Sequence, residues 1–162
     1  MKKVLALYSL LLFLVISAPA QLLTWTPDFP KDNDNISITL DASKGNQGLF
    51  NYSNTADVYV HVGLITSAST SATDWKYAKF TWATTTAAAQ ATYLGSNKCS
   101  YVINNPRSFF NAVAGGVPAG ETILKIAILF RNGTGTVIQR NADASDMYIP
   151  IYDNTLATRF TV

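Results

Sequence analysis

The chain is 162 residues long, with 48% apolar and 14% charged residues, one cysteine and a formal net charge of +2. A single cysteine excludes an internal disulfide, so stability has to come from the core. Lys2 and Lys3 account for the whole net charge, since beyond them ten Lys and Arg face ten Asp and Glu; a neutral domain lacks the basic field that nucleic acid or an acidic membrane requires.

Lys2 and Lys3 precede an apolar run from Val4 to Ile16, and SAPA ends on small residues before Gln21. This is the layout of a secretory signal peptide cut after Ala20, which predicts a secreted or cell-surface protein. No later stretch is apolar for the ~18 residues that a membrane span needs. The only cysteine, Cys99, lies far from the cleavage point, so no lipid anchor is expected. Of the 162 residues, the 142 that follow Ala20 suffice for one domain with a sizeable core.

Strand signals dominate those residues. NISITLDA (35–42) alternates Ile36, Ile38 and Leu40 with polar residues, and DVYVHVGLI (57–65) alternates Val58, Val60, Val62 and Leu64 with Tyr59, His61, Gly63 and Ile65. Tyr93 with Leu94, and Cys99 to Ile103, give two shorter candidates around the turn GSNK. ETILKIAILFRN (121–132) is largely apolar on both faces and should be a central strand. It runs into the turn NGTG, after which TVIQR pairs back, followed by MYIPIYD (147–153) and a last strand near 158–162. NNPRSFFNAV (104–113) carries Pro106 where a first helical turn accepts it and Asn105 as a cap, so a short helix is predicted there. GNQGLFNYSNT and TSASTSAT read as exposed loops, and TTTAAAQA as a link between strands. Eight or nine short strands at this spacing predict an all-β, immunoglobulin-like antiparallel β-sandwich with one inserted helix.

Catalytic materials are few. His61 is the only histidine and alternates outward without a second His or a nearby carboxylate, which fits a hydrogen-bonding role better than zinc or base chemistry. Glycoside hydrolysis needs two flanking carboxyl groups, but Asp32, Asp34, Asp74, Asp143 and Asp146 all sit where turn chemistry explains them. Neither DND nor DASD has a calcium-loop spacing, and the Gly-rich stretches lack the phosphate-loop lysine, so no metal or other cofactor is expected. Nothing here predicts an enzyme.

DWKYAKFTW (74–82) stands apart. As a strand it would place Phe80, Ala78 and Trp82 in the core and display Trp75, Tyr77 and Lys79 outward, directly after a polar loop. Aromatic faces stack on the C–H faces of a sugar while Lys, Asn or Gln bond its hydroxyls. The alternative is equally open: Trp75 packs under the 66–73 loop and Tyr77 against a neighbouring strand.

TPDFPKDNDNISITLDASKGNQGL, DVYVHVGLIT, DWKYAKFTW, VPAGETILKIAILFRN and DMYIPIYD, in this order, resemble the amino-terminal β-sandwich module of secreted Bacteroidetes α-amylase-like proteins, related in fold to starch-binding modules. The resemblance runs from about Thr26 to Val162, departing at AVAGG (112–116) and at Ala78. It implies a non-catalytic module beside a glycoside hydrolase domain, binding an α-glucan through Trp75 and Tyr77, with Lys79 and His61 as further contacts. A structural spacer or docking module is the other reading.

Overall fold

The computed structural model describes residues 21–153 apart from Ala112 and Ala114. The expected signal peptide (1–20) and the expected strand near 158–162 both lie outside the described residues. In chain order the elements are β1 (Leu23–Thr26), β2 (Asn35–Asp41), β3 (Val58–Thr66), a 3-10 turn at Ala87–Ala89, β4 (Thr92–Gly95), β5 (Lys98–Asn104), helix α1 (Pro106–Asn111), β6 (Ile123–Asn132), β7 (Ile138–Gln139) and β8 (Met147–Pro150).

The strands form two antiparallel sheets. One has the order β1-β2-β5-β4; in the other β6 pairs with β3 on one side and with β7 and β8 on the other. This is the strand order of a constant-type immunoglobulin sandwich, four strands facing three, with the last strand split into β7 and β8. Its core is filled from both inner faces. Ile36, Ile38 and Leu40 of β2 and Ile103 of β5 meet Val60, Val62 and Leu64 of β3 and Ile126, Ile128 and Phe130 of β6, all fully buried. Cys99 lies in the same core, where burial pushes its thiol up to about 11.

The alternating segments fold as their patterns predict, and β6 is the doubly covered central strand. Pro106 opens α1, and the Asn105 side chain accepts from the Ser108 N–H at 3.0 Å, so the cap also forms as expected. β1 was not anticipated: LTWT gives only one alternation on each side, yet pairing of Leu23 with Leu40 and Trp25 with Ile38 fixes it to the edge of β2.

The aromatic segment is the main correction. DWKYAKFTW is not a strand, and only Lys76 forms a bridge, to Leu64 of β3. Tyr77 and Ala83 adopt φ values of +53° and +60°, a region in which side-chain-bearing residues are rare and which ends any two-residue alternation. Consequently Ala78 and Trp82, expected in the core, are exposed, whereas Trp75 and Tyr77, expected on display, are half-buried. The segment instead runs beside the open edge of β3. The Leu64 and Lys76 backbones exchange bonds of 2.7 and 2.8 Å, and the Lys79 N–H donates to Val62 O at 2.9 Å. An unpaired edge strand invites association with other chains, and this cover prevents it.

Candidate functional site

The outer face of the β3-β6-β8 sheet is built from register. Tyr59 stands opposite Arg131, His61 opposite Leu129, and Gly63 opposite Ala127, which in turn faces Tyr148. Small residues at Gly63 and Ala127 leave a shallow floor, and the Trp75 ring lies over it: a Cβ on Gly63 would come 3.1 Å from Trp75 Cε3. Trp75 stacks on His61, with ring centroids 5.6 Å apart and planes inclined by 19°. Trp82 meets the same imidazole edge-on, at 5.0 Å and 81°. His61 therefore joins two indoles that are steeply inclined to one another.

Arg131 orients the second indole. It is fully buried, and its guanidinium lies 5.4 Å from the Trp82 ring centroid and 5.7 Å from that of Tyr59. It donates to the carbonyls of Thr84 at 2.7 Å, Asn132 at 2.8 Å and Gly133 at 3.0 Å. Burial lowers the Arg131 pKa, with Asp57 and Tyr59 opposing the shift. Behind Trp82 comes the β6–β7 turn, where Thr134 and Thr136 flank Gly135. Their exposed hydroxyls bond each other at 2.8 Å, and each accepts from the Asn132 side chain. Trp82 itself is 39% exposed.

Four buried side-chain polar atoms lack a hydrogen-bond partner among the described residues: His61 Nδ1, Trp75 Nε1, Arg131 Nε and the Tyr148 hydroxyl. All four belong to this one face. Burial, then the Arg131 charge, lowers the His61 pKa, so the imidazole is neutral between its two indoles at neutral pH.

Of the four residues the sequence nominated, the structure brings His61 and Trp75 together and sends the other two elsewhere. The Tyr77 hydroxyl donates to Glu121 at 2.7 Å, which raises its pKa, and its ring packs against the core. Thr66 donates to the other oxygen of the same carboxylate. Lys79 donates to Phe109 O at 2.8 Å and lies 5.0 Å over the Phe109 ring, so it ties the segment to α1. A coplanar Trp75–Tyr77 platform is therefore not formed. Sequence reasoning missed Trp82 and Arg131 because both follow from the turn at Ala83 and from β6 register, not from alternation within 74–82.

The carboxylates are engaged locally. Asp32 pairs with Arg107 at 2.6 Å, Asp146 with Arg140 at 3.2 Å, and Asp74 with Lys76 at 3.0 Å. Thr70, through its N–H and hydroxyl, and Lys76 hold the Asp74 carboxyl down at about 2. Among the described residues no group of three or more His, Cys, Asp or Glu could hold a metal, and no helix is long and apolar enough to cross a membrane. No protein-family model matches the chain, and no curated protein matches it.

Proposed function

We propose that this protein is a secreted, non-catalytic carbohydrate-binding module for an α-glucan such as starch, and that Trp82 and Trp75, held about His61, are its sugar-stacking surface. The observation that carries this reading is the fixed, 39% exposed Trp82 indole, set between Arg131, His61 and the hydroxyl-bearing turn Thr134–Gly135–Thr136. One ring face can take the C–H face of a glucose unit, and the turn hydroxyls can bond its rim. Steeply inclined indoles suit the curved path of an α-linked chain, whereas a flat β-linked chain calls for coplanar rings. Equal numbers of cationic and anionic residues after Lys3 agree with a neutral ligand. The carboxyl groups whose pKa is displaced, Asp41, Asp74 and Asp143, are all lowered, whereas a glycosidase acid needs a raised one.

Affinity electrophoresis in gels containing soluble starch tests the reading. The parent should be retarded, with a Kd on the order of 10–1,000 μM, since two rings leave a small surplus after ordering costs. Trp82→Ala should weaken binding about tenfold, the loss of ~1.4 kcal/mol of stacking. A parent that migrates alike with and without starch overturns the α-glucan assignment. It would favour the second reading, a spacer or docking module of a larger glycan-degrading protein. The sealing of the β3 edge by 76–79 and the packing of Tyr77 and Phe80 against the core support that alternative.

A further inference from the structure

At the other end of the same sheet, where β6 begins and β8 ends, lies a cleft of about 240 Å³ lined by Asp32, Arg107, Thr122, Ile123, Ile151 and Tyr152, among others. Phe29 stands at Tyr152, edge to face, with ring centroids 5.3 Å apart. At 70% it is the most exposed large apolar side chain described. Its loop is rigid. Pro27 and Pro30 flank it, Tyr152 N donates to Pro30 O at 2.8 Å, and Arg107 N donates to Asp32 O at 2.8 Å. The Lys31 N–H is capped by the Asp34 carboxylate at 2.8 Å. An aromatic ring presented to solvent on a braced loop is a contact group already in its binding conformation.

The polar groups of the cleft narrow the ligand class. Arg107 donates through Nε to Asp32 at 2.6 Å, through Nη2 to Glu121 O at 2.9 Å and through Nη1 to Pro118 O at 3.4 Å. With five N–H donors in a fixed fork, each terminal nitrogen keeps one to offer. An anion meets a guanidinium already paired with Asp32, and a cation meets carboxylates already engaged: Asp32 is paired with Arg107, and Asp153, which also lines the cleft, is not free. The Glu121 carboxylate is turned to Thr66 and Tyr77. What remains is a set of donors and acceptors for hydroxyl groups, beside two aromatic rings. The volume is below the ~300–1,000 Å³ of drug-sized sites, which suits one or two sugar units.

We infer that this cleft, with Tyr152, Arg107 and Asp32 in its lining and Phe29 packed on Tyr152, is a second saccharide-binding subsite on the same molecule. The inference rests on the α-glucan reading and extends it to two points of attachment. Ile123 lines the cleft and Arg131 touches Trp82, eight residues along β6, so the two places are about 27 Å apart at ~3.4 Å per residue. A long glucan can engage both, which multiplies its affinity without any new contact, whereas a short oligosaccharide engages each singly.

The test is an amide-resolved NMR titration of the protein with maltose, beside starch-gel retardation of the parent, Phe29→Ala and Trp82→Ala. Phe29 is exposed and belongs neither to the hydrophobic core nor to the residues packed on it, so its truncation should leave the fold intact. The expected result is maltose-induced shifts at both 28–32 with 151–153 and at the Trp82 turn, and starch retardation reduced about tenfold or more in each variant. Shifts confined to the Trp82 turn, with Phe29→Ala retarded like the parent, overturn the second subsite and leave the first standing. Shifts confined to the cleft uphold the subsite and overturn the assignment to Trp82 and Trp75. Shifts at neither place, with no retardation, overturn both.

Discussion

Gly135 lies directly against the Trp82 indole: a Cβ at that glycine would come 2.6 Å from Trp82 Nε1 and 2.9 Å from Cε2. The residue also has a φ of +72°, so the turn needs glycine twice over, for its backbone and for the ring that rests on it. Gly135→Ala should displace the indole and weaken starch binding about tenfold or more, at a stability cost of about 1 kcal/mol. Gel retardation beside a thermal melt separates the two effects. Unchanged retardation in this variant would show that the position of Trp82 does not govern binding.

Acid should loosen the aromatic cluster. The His61 pKa is lowered by burial and by Arg131, so the folded state prefers the neutral ring. Above the unfolded value of about 6.5 the imidazole is neutral in both states and folding carries no penalty. As pH falls below that value the unfolded chain takes up the proton first, and stability declines until the folded pKa has been passed. Denaturant midpoints between pH 8 and pH 4.5 should fall more steeply in the parent than in His61→Gln. Parallel curves would refute the prediction.

Arg131 is a fully buried cation that forms no ion pair among the described residues, feels Asp57 only at a distance, and satisfies three backbone carbonyls. Arg131→Met retains much of the stem but orphans those acceptors, so stability should drop by on the order of 3 kcal/mol. With the guanidinium gone from beside its ring, Trp82 should lose its fixed orientation. Urea unfolding monitored by tryptophan fluorescence reads both consequences.

Cys99 should be inert while the protein is folded. Its thiol is buried and its pKa is pushed up to about 11, so almost no thiolate is present at neutral pH. A thiol reagent at pH 8 should leave the native protein unlabelled over hours and react stoichiometrically in denaturant. Rapid native labelling would mean that the sheet edge at β4 opens readily.

The fold was legible wherever a strand buries one face. Ile36, Ile38 and Leu40, or Val58, Val60 and Val62, leave only one orientation to a pleated strand, and Asn105 with Pro106 marks a helix start by local chemistry. The site was half legible. Outward alternation put His61 on the outer face of β3, where it lies, but nothing in the sequence paired it with Trp75. Tyr77, Lys79 and Trp82 were assigned wrong surroundings because alternation holds only while φ stays negative, and it fails at Tyr77 and again at Ala83.

The sequence by itself therefore determined the antiparallel sandwich and its core, because those depend on periodicity and composition, which are local and additive. Only the tertiary structure decided which rings meet. Whether Trp82 is core or surface depends on Gly135, Arg131 and His61, which stand 53, 49 and 21 positions away in the chain, and on the register that sets Tyr59 opposite Arg131. Contacts between residues so far apart arise from the pairing of β3 with β6, and no pattern within a single segment contains them.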